Sequence, residues 1–554
     1  MTANPPLLSL EGLSVVYPGL DGEVTAVNQV SLSVAPGEIL AIIGESGAGK
    51  SAIAQAIPGL LPANATVRGK ICYQGVDLLS LSRAELSAIR GREIAMIFQD
   101  PSSSLDPVFS VGKQLDESIA LASPALNASQ RRGRAIELLT QVGIDQAEKR
   151  LTSYPHQFSG GQTQRIMIAM ALAGRPRLLI ADEPTTALDV TTQQEILDLL
   201  FSLNKQFGMA LLLITHDMGV VADIAQRVIV MRQGKIEENS PSKILFSTPQ
   251  STYTRQLLAA IPASHAPQAI AVESFEPLLQ VEDLHISYSA GFGRKHHIVK
   301  GVSFQVGEGE FLGLLGESGS GKTSIGRSLL GIVKPDKGKL TLAGEAIYDP
   351  NHRRNKAIKS RVGAIFQNPL ASLNPRMTLG QSIAEPLHTH TELNNEAILQ
   401  RVKSLLDSVG LPGGWHQKYP YEISGGQCQR VAIARAIALS PQLLIADEPT
   451  SALDVSIQES ILTLLKNLQK EYRFACLFIS HDLAVVRNLC QSALILKNGN
   501  VVEQGRVSEL FSRPVSDYTR SLIDSIPFAD PLYQEKKRRQ RAPWLFSSSP
   551  LSAH

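Results

Sequence analysis

The sequence predicts an α/β protein made of two tandem copies of one domain, each with a mostly parallel sheet at its core. Three observations predict it. One ordered set of motifs occurs twice, pairing Ser159 with Ser424, Glu183 with Glu448 and His216 with His481 at a single constant interval. Short apolar runs end in glycine, in paired acids or in His-Asp, as buried strands feeding polar loops do. Helical stretches separate these runs, and strands broken by helices assemble into parallel sheets.

The bulk properties agree. A chain of 554 residues exceeds one ordinary core, so two or more domains are expected. A net charge of +2 with 43% hydrophobic residues describes a globular chain rather than a disordered one. No run of 18 or more apolar residues appears, so no membrane span is expected. The start MTANPPLLSLEGL lacks the basic beginning and long apolar core of a signal peptide. Cys72, Cys428, Cys476 and Cys490 have no CxxC spacing and read as core or surface residues of a reducing compartment. The basic stripe that stands out is Lys536 to Arg541, too short for a nucleic-acid footprint, so nucleic acid is not an expected partner. That run reads as a solvated, disordered end, with attraction to anionic lipid as its other reading.

The first half spans 6–261 and the second 278–530, joined by a Pro/Ala/Ser-rich linker at 262–277 and followed by a basic tail at 531–554. In each half the first buried strand, EILAIIG (38–44) or EFLGLLG (310–316), runs into a glycine-rich loop, GESGAGKS (44–51) or GESGSGKT (316–323). In such a loop Gly44, Gly47 and Gly49, or Gly316, Gly319 and Gly321, let backbone N–H groups wrap phosphates. Lys50 or Lys322 reaches the terminal phosphates, and Ser51 or Thr323 holds magnesium. Pro58 falls in the helix after the first loop and is expected to kink it or end it early.

The second buried strands, RLLIADEP (177–184) and QLLIADEP (442–449), end in Asp182-Glu183 and Asp447-Glu448. The aspartates suit magnesium, and the glutamates suit orienting or deprotonating an attacking water. The third strands end at His216 and His481, placed to contact a γ-phosphate or fix that water. Gln99 and Gln367 would complete the magnesium and water shell. A further Ser-Gly-Gly turn opens a helix in each half, with Ser159, Gly160, Gly161 and Gln162 in FSGGQTQR and Ser424, Gly425, Gly426 and Gln427 in ISGGQCQR. These are additional phosphate seats. Tyr17 and Tyr288 read equally as rings that stack on adenine and as edge-strand residues packing on neighbours.

The ordered set of phosphate loop, glutamine loop, SGGQ, Asp-Glu, TALD or SALD, and His-Asp resembles the ATP-binding cassette (ABC) ATPases, twice over and along nearly the whole chain. The resemblance implies two P-loop NTPase domains, each a parallel sheet core with a helical subdomain, using ATP and Mg2+. It implies that the two close head to tail, so that an ATP sandwich forms within one chain. One site would take Lys50, Ser51, Gln99, Asp182, Glu183 and His216 with Ser424, Gly425, Gly426 and Gln427. The other would take Lys322, Thr323, Gln367, Asp447, Glu448 and His481 with Ser159, Gly160, Gly161 and Gln162. Asp189 and Asp454 resemble the residues that connect the two sites. Both halves keep the glutamate, histidine, lysine and serine, so two hydrolytically competent sites are expected.

Finer spellings, IFQDPSSSLDP (97–107), IFQNPLASLNP (365–375), YTRQLLAAIP (253–262) and YTRSLIDSIP (518–527), resemble the dipeptide, oligopeptide and nickel importers. Fused members of that group resemble the ATPases for glutathione and microcin C-type peptide uptake. The resemblance implies two integral-membrane permease subunits docking near the helical subdomains after Gln99 and Gln367. It also implies a periplasmic or lipid-anchored substrate-binding protein, and a peripheral place on the cytoplasmic face of the inner membrane. Two departures stand out. No cysteine cluster follows the final motif, so an iron–sulfur site is not expected, and Thr163 and Cys428 replace the usual Arg or Glu. A ribosome-acting twin-cassette protein would carry a long charged helical linker, and a repair or chromosome-structuring ATPase would carry zinc cysteines or coiled-coil insertions.

Overall fold

The computed structural model describes residues 5–19, 22–186, 188–259, 276–289, 295–348, 355–450, 453 and 455–541. The chain divides into two compact units, one from Met1–Leu188, Thr192–Ile261 and Pro527–His554, the other from Asp189–Thr191 and Pro262–Ile526. Most of the expected linker, like Asp454, lies outside the described residues.

In the first unit the strands are β1 (Leu8–Gly19), β2 (Gly22–Val34), β3 (Ile39–Ile43), β4 (Thr66–Tyr73), β5 (Val76–Asp77), β6 (Ile94–Ile97), β7 (Leu178–Asp182), β8 (Ala210–Ile214), β9 (Arg227–Arg232) and β10 (Lys235–Pro241). They form a six-stranded sheet in the order β10-β9-β3-β8-β7-β6 and a four-stranded sheet in the order β2-β1-β4-β5. The larger sheet is parallel except where β10 pairs with β9. The smaller sheet, absent from the sequence reading, is antiparallel throughout.

The parallel strands are apolar along their interiors, with charge confined to ends such as Asp182, Arg227 and Arg232, because both faces are covered. Leu178, Ile180, Leu212 and Ile214 point toward the antiparallel sheet and share its core with Leu10, Val15 and Ile53. Leu179, Ala181, Leu211 and Leu213, one residue out of step, pack with Leu115, Leu138 and Ile166 from the helices Val111–Ala122, Ala128–Gln141 and Gly160–Ala171. Strand periodicity of two divides the residues between the two cores.

The second unit repeats this plan. Its strands are β11 (Pro277–Ser289), β12 (Lys295–Gly307), β13 (Phe311–Gly316), β14 (Lys337–Leu342), β15 (Glu345–Ala346), β16 (Val362–Ile365), β17 (Leu443–Asp447), β18 (Ala475–Ile479), β19 (Ser492–Lys497) and β20 (Asn500–Arg506). The sheet orders, β16-β17-β18-β13-β19-β20 and β12-β11-β14-β15, match those of the first unit strand for strand.

Pro58 acts as its chemistry requires. The helix Lys50–Ala56 stops directly before it, whereas Lys322–Leu329 continues and the Leu330 N–H donates to the Gly326 carbonyl at 3.0 Å. Proline has no N–H for that bond. Arg90 donates to the Pro58 and Gly59 carbonyls at the end of the shortened helix.

The basic end departs from the expectation of a solvated, disordered tail. Residues Pro531–Arg541 form a helix packed on the first unit against the helices Met218–Ile224 and Ser242–Ser247. Arg538 is buried and paired with buried Asp223. A run of basic letters carries no sign of the carboxylates it will meet, which explains the error.

Candidate functional site

Each half places its motifs at the carboxyl ends of β3, β7 and β8, or of β13, β17 and β18, where parallel sheets bind ligands. The phosphate loop leaves β3 at Gly44, whose φ of 151° lies in the region that favours glycine. A Cβ there would sit 2.2 Å from the Met231 carbonyl oxygen, and one at Gly316 would sit 2.3 Å from that of Leu496. Lys50 and Lys322 open the next helix and are buried. Lys50 Nζ donates to the Gly44 and Glu45 carbonyls at 2.8 and 2.9 Å, and Lys322 Nζ to those of Gly316 and Glu317 at 2.7 and 2.8 Å. Burial pulls the Lys322 ammonium below its usual range, against the opposing pull of Glu448 and Asp447.

The hydroxyls meet the strand-end aspartates. Ser51 Oγ donates to Asp182 Oδ1 at 3.1 Å, and Thr323 Oγ1 to Asp447 Oδ1 at 3.2 Å. Burial pushes both carboxyls up, and the adjacent Glu183 or Glu448 adds to it.

The glutamates gather the remaining groups. Gln99 Nε2 donates to Glu183 Oε2 at 2.8 Å, while His216 Nδ1 lies 3.2 Å from Glu183 Oε1. In the second half Gln367 Nε2 donates to Glu448 Oε2 at 2.8 Å, and His481 Nδ1 lies 3.1 Å from Glu448 Oε1. Three residue types from three separate chain segments thus converge twice with the same geometry. The glutamine amides reach the glutamates, the groups suited to orienting the attacking water. Burial alone would raise the Glu183 carboxyl, but the hydrogen bond and charge of His216, helped by Thr186 and Lys50, hold it below its usual range. For His481 burial works toward the neutral form, and Glu448 outweighs it and raises the imidazole.

The glutamates also carry strain. Glu183 and Glu448 have φ of 49° and 48°, in the left-handed region that a side chain disfavours. Their N–H groups donate to the carbonyls of Ile214 and Ile479 on the neighbouring strands, at 2.8 and 2.9 Å, which holds the turn. Such conformations cost about 1–3 kcal/mol and persist where surrounding structure enforces them.

The signature loops begin helices. Ser159 caps Gly160–Ala171 by accepting from the Gln162 N–H, and Gln162 Oε1 accepts from the Ser159 N–H. Ser424 and Gln427 repeat the box on Gly425–Ile437. The two glycines differ in a way the sequence did not reveal. A Cβ on Gly160 would come no closer than 3.8 Å to another side chain, but on Gly161 it would lie 2.2 Å from Thr192 Cγ2. Gly425 is likewise open, and Gly426 faces Ile457 at 2.7 Å. Thr163 and Cys428, the two departures, are buried, with Thr163 donating to the Ser159 carbonyl and the Cys428 thiol to that of Pro420. Burial pushes the thiols of Cys428, Cys476 and Cys490 up.

Tyr17, half-buried on β1, packs against the core of the first unit, and burial raises its phenol. Tyr288 is exposed, with its hydroxyl 3.2 Å from Ser324 Oγ on the helix that follows the second phosphate loop. Asp189 immediately precedes the helix Val190–Phe207.

Two supports escaped the sequence reading. Asp217 and Asp482, beside the histidines, cap the next helices and take a hydrogen bond from Gln193 or Gln458. Tyr518, on the helix Asp517–Asp524, accepts from the Glu317 N–H in the phosphate loop at 3.4 Å, under a cation from Lys497 at 4.3 Å. Position-for-position repetition was the available signal, since Arg232 stacks on Tyr253 in the first half.

In the second unit a cleft of about 630 Å³ runs from Thr323 and Asp447 past Gln367 to Glu385 and Arg435 of the helical subdomain. Among the described residues no helix is long and apolar enough to cross a membrane.

Comparison with known proteins agrees with this geometry. An ABC transporter family model matches residues 27–186 and 299–451, and a model of the oligopeptide/dipeptide transporter C-terminal region matches 502–547. The chain is 45% identical to a peptidoglycan transport ATP-binding protein, YejF, of Agrobacterium fabrum, over 94% of this chain and 96% of that one. It is also 45% identical to an uncharacterized ABC transporter ATP-binding protein of Escherichia coli, over 93% of this chain and 99% of that one. To a glutathione import ATP-binding protein, GsiA, of Shigella dysenteriae it is 42% identical, over 96% of this chain and 91% of that one. With the same phosphate, acid and histidine geometry in both halves, and family matches in both, the chain belongs to the ABC transporter family as an ATP-hydrolysing subunit with two cassettes.

Proposed function

We propose that this chain powers an ABC importer for peptides or related small solutes, a class that includes dipeptides, oligopeptides, glutathione, metal chelates and opines. The observation that carries the catalytic part is the Gln–Glu–His cluster, built identically on Glu183 and Glu448. The relatives named for peptidoglycan transport and glutathione import, with the oligopeptide/dipeptide C-terminal region, support the solute class.

Each half, 6–261 and 278–530, serves as one nucleotide-binding domain. The glutamates orient and deprotonate the attacking water, with His216 and His481 fixing the carboxylates and Gln99 and Gln367 holding their far oxygens. Held below its usual range by its histidine, the Glu183 carboxylate stays ionised and accepts a hydrogen bond from the attacking water. Lys50 and Lys322 neutralise the terminal phosphates, and the exposed backbone at Gly160 and Gly425 is the phosphate-facing part of each signature loop. Ser51 with Asp182, and Thr323 with Asp447, present a hydroxyl beside a carboxylate, a hard-oxygen pair that suits Mg2+. When bound, that ion would neutralise developing phosphate charge. Asp189 and Asp454 relate the two sites, and each signature loop completes the other half's site.

Two integral-membrane permeases and a periplasmic or lipid-anchored solute-binding protein complete the system, with this chain peripheral on the cytoplasmic face of the inner membrane. Exposed apolar residues beside the glutamine loops, Phe98, Val108 and Phe109 in one half and Phe366 and Leu370 in the other, supply permease-docking surface. Purification of the chain from membranes tests this. Recovery with two polytopic membrane proteins is expected, and sedimentation with ribosomes instead would overturn it. The ligand of the partnering binding protein identifies the solute.

A further inference from the structure

The helix Pro531–Arg541 follows the second half in sequence yet is built into the first unit. Arg538 directs Nε and one terminal nitrogen to Asp223 Oδ1, at 3.1 and 2.8 Å, and both residues are buried. Asp223 Oδ2 accepts from Gln194 Nε2 at 3.0 Å, so both carboxylate oxygens are occupied. The Arg538 guanidinium also lies 4.2 Å over the Phe201 ring. Arg541 forks onto Asp198 at 2.7 and 2.8 Å, and Lys243 meets Glu535 at 3.3 Å. Upstream, Pro527 approaches Gly219 so closely that a Cβ on the glycine would sit 2.6 Å from the proline carbonyl oxygen.

These receiving residues occupy two helices. Gln194, Asp198 and Phe201 lie on Val190–Phe207, which follows Asp189, and Gly219 and Asp223 lie on Met218–Ile224, which follows His216 and is capped by Asp217. The equivalent positions of the second half are Glu459, Thr463, Lys466, Ala484 and Asn488. The duplicated helices are present there, but the two aspartates, the aromatic ring and the glycine are not. The receptor for this helix therefore belongs to the first half alone.

We propose that Pro531–Arg541 is an intramolecular latch that clamps the Asp189 and His216 helices together and thereby positions His216 against Glu183. The end of the chain thus acts on the helices beside Asp189 and His216 of the first half, and the second half has no counterpart of this latch. Buried charge fits this role: an ion pair with every oxygen satisfied gives one seating for the helix, and a slipped register would strand a charge out of water. The catalytic consequence rests on the reading of Glu183 and His216 given above; the clamp itself does not.

Hydrogen exchange on the full-length chain tests the latch, because the second half is an internal control. In Arg538→Met, exchange at Met218–Ile224 is expected to rise at least about tenfold, since removing one partner of a buried pair is strongly destabilising. Exchange at the equivalent helix Leu483–Leu489 is expected to stay unchanged. Adding Asp223→Leu to Arg538→Met removes the stranded charge and is expected to restore protection. Should Arg538→Met fail to fold, Arg541→Ala, which breaks the pair with Asp198, is expected to loosen Val190–Phe207 and spare Val455–Tyr472. Unchanged exchange at 218–224, or equal acceleration in both halves, would overturn the latch. So would loss of protection at Pro531–Arg541 in the wild-type chain on adding phosphatidylserine vesicles, because the helix would then be lipid-seeking. If the exchange contrast holds while Glu183→Gln hydrolyses ATP normally, the reading of the site fails and the latch stands.

Discussion

Placing alanine at Gly161 and, separately, at Gly160 distinguishes packing from phosphate approach within one signature loop. A Cβ at Gly161 falls 2.2 Å from Thr192 Cγ2. Unstrained carbon contacts lie near 3.5 Å, so about 1.3 Å of movement is needed. Thr192 is β-branched and sits in the first turn of Val190–Phe207, where its rotamer choice is restricted, so the backbone must give instead. Overpacking of this kind costs about 1–3 kcal/mol. Alanine recovers up to about 1 kcal/mol over glycine in a helix, leaving a net loss of up to about 2 kcal/mol. For a unit of this size each kcal/mol moves the midpoint by about 2–4 °C, so Gly161→Ala should melt up to about 8 °C below wild type and at least about 2 °C below Gly160→Ala. Gly160→Ala gains the same helix propensity without the clash and should melt no lower than wild type, while losing ATPase activity through obstruction of the loop. Calorimetry of the full chain reads the first, and phosphate release reads the second. Gly426→Ala and Gly425→Ala repeat the experiment against Ile457, at 2.7 Å. Equal melting temperatures for Gly160→Ala and Gly161→Ala would refute the reasoning.

Further outcomes concern the Gln–Glu–His clusters and the phosphate loop. Glu183→Gln and Glu448→Gln should each cut hydrolysis at their own site by about 10² or more, the usual worth of a positioned general base, so that each single variant loses at least about half of steady-state turnover, and a variant with unchanged turnover would mark its site as non-catalytic. The His481 imidazole is raised above its unfolded value of 6.5 by Glu448, so the stability it contributes is complete below pH 6.5 and lost as pH rises through the higher folded value. Thermal melts of wild type and His481→Gln should therefore differ most below pH 6.5 and converge at alkaline pH; a constant difference would contradict the pairing. Tyr518→Phe removes the hydroxyl that accepts from the Glu317 N–H at 3.4 Å. At that length the bond is worth about 1 kcal/mol or less, so ATP affinity in a fluorescent-nucleotide titration should fall by up to about fivefold with folding intact.

The order of motifs and the duplication were legible in the amino-acid sequence, because each depends on chemistry that only a few residue types supply at a set spacing. Lys50 must carry charge, Gly44 must lack a Cβ, and β3 must be apolar on both faces, and each requirement leaves its mark locally. Pro58 ended its helix for an equally local reason. Tertiary structure decided what depends on partners far away in the chain. Gln99 and His216 meet on opposite oxygens of Glu183 because three segments converge there, and the left-handed backbone at Glu183 is held by a neighbouring strand. Gly160 and Gly161 look alike in sequence and differ only once Thr192 lies against one of them. The basic end is the plainest case. Arginine in water and arginine on a buried aspartate have the same letter, and only the folded first unit, with Asp223 and Asp198 in place, turns a charged run into a seated helix.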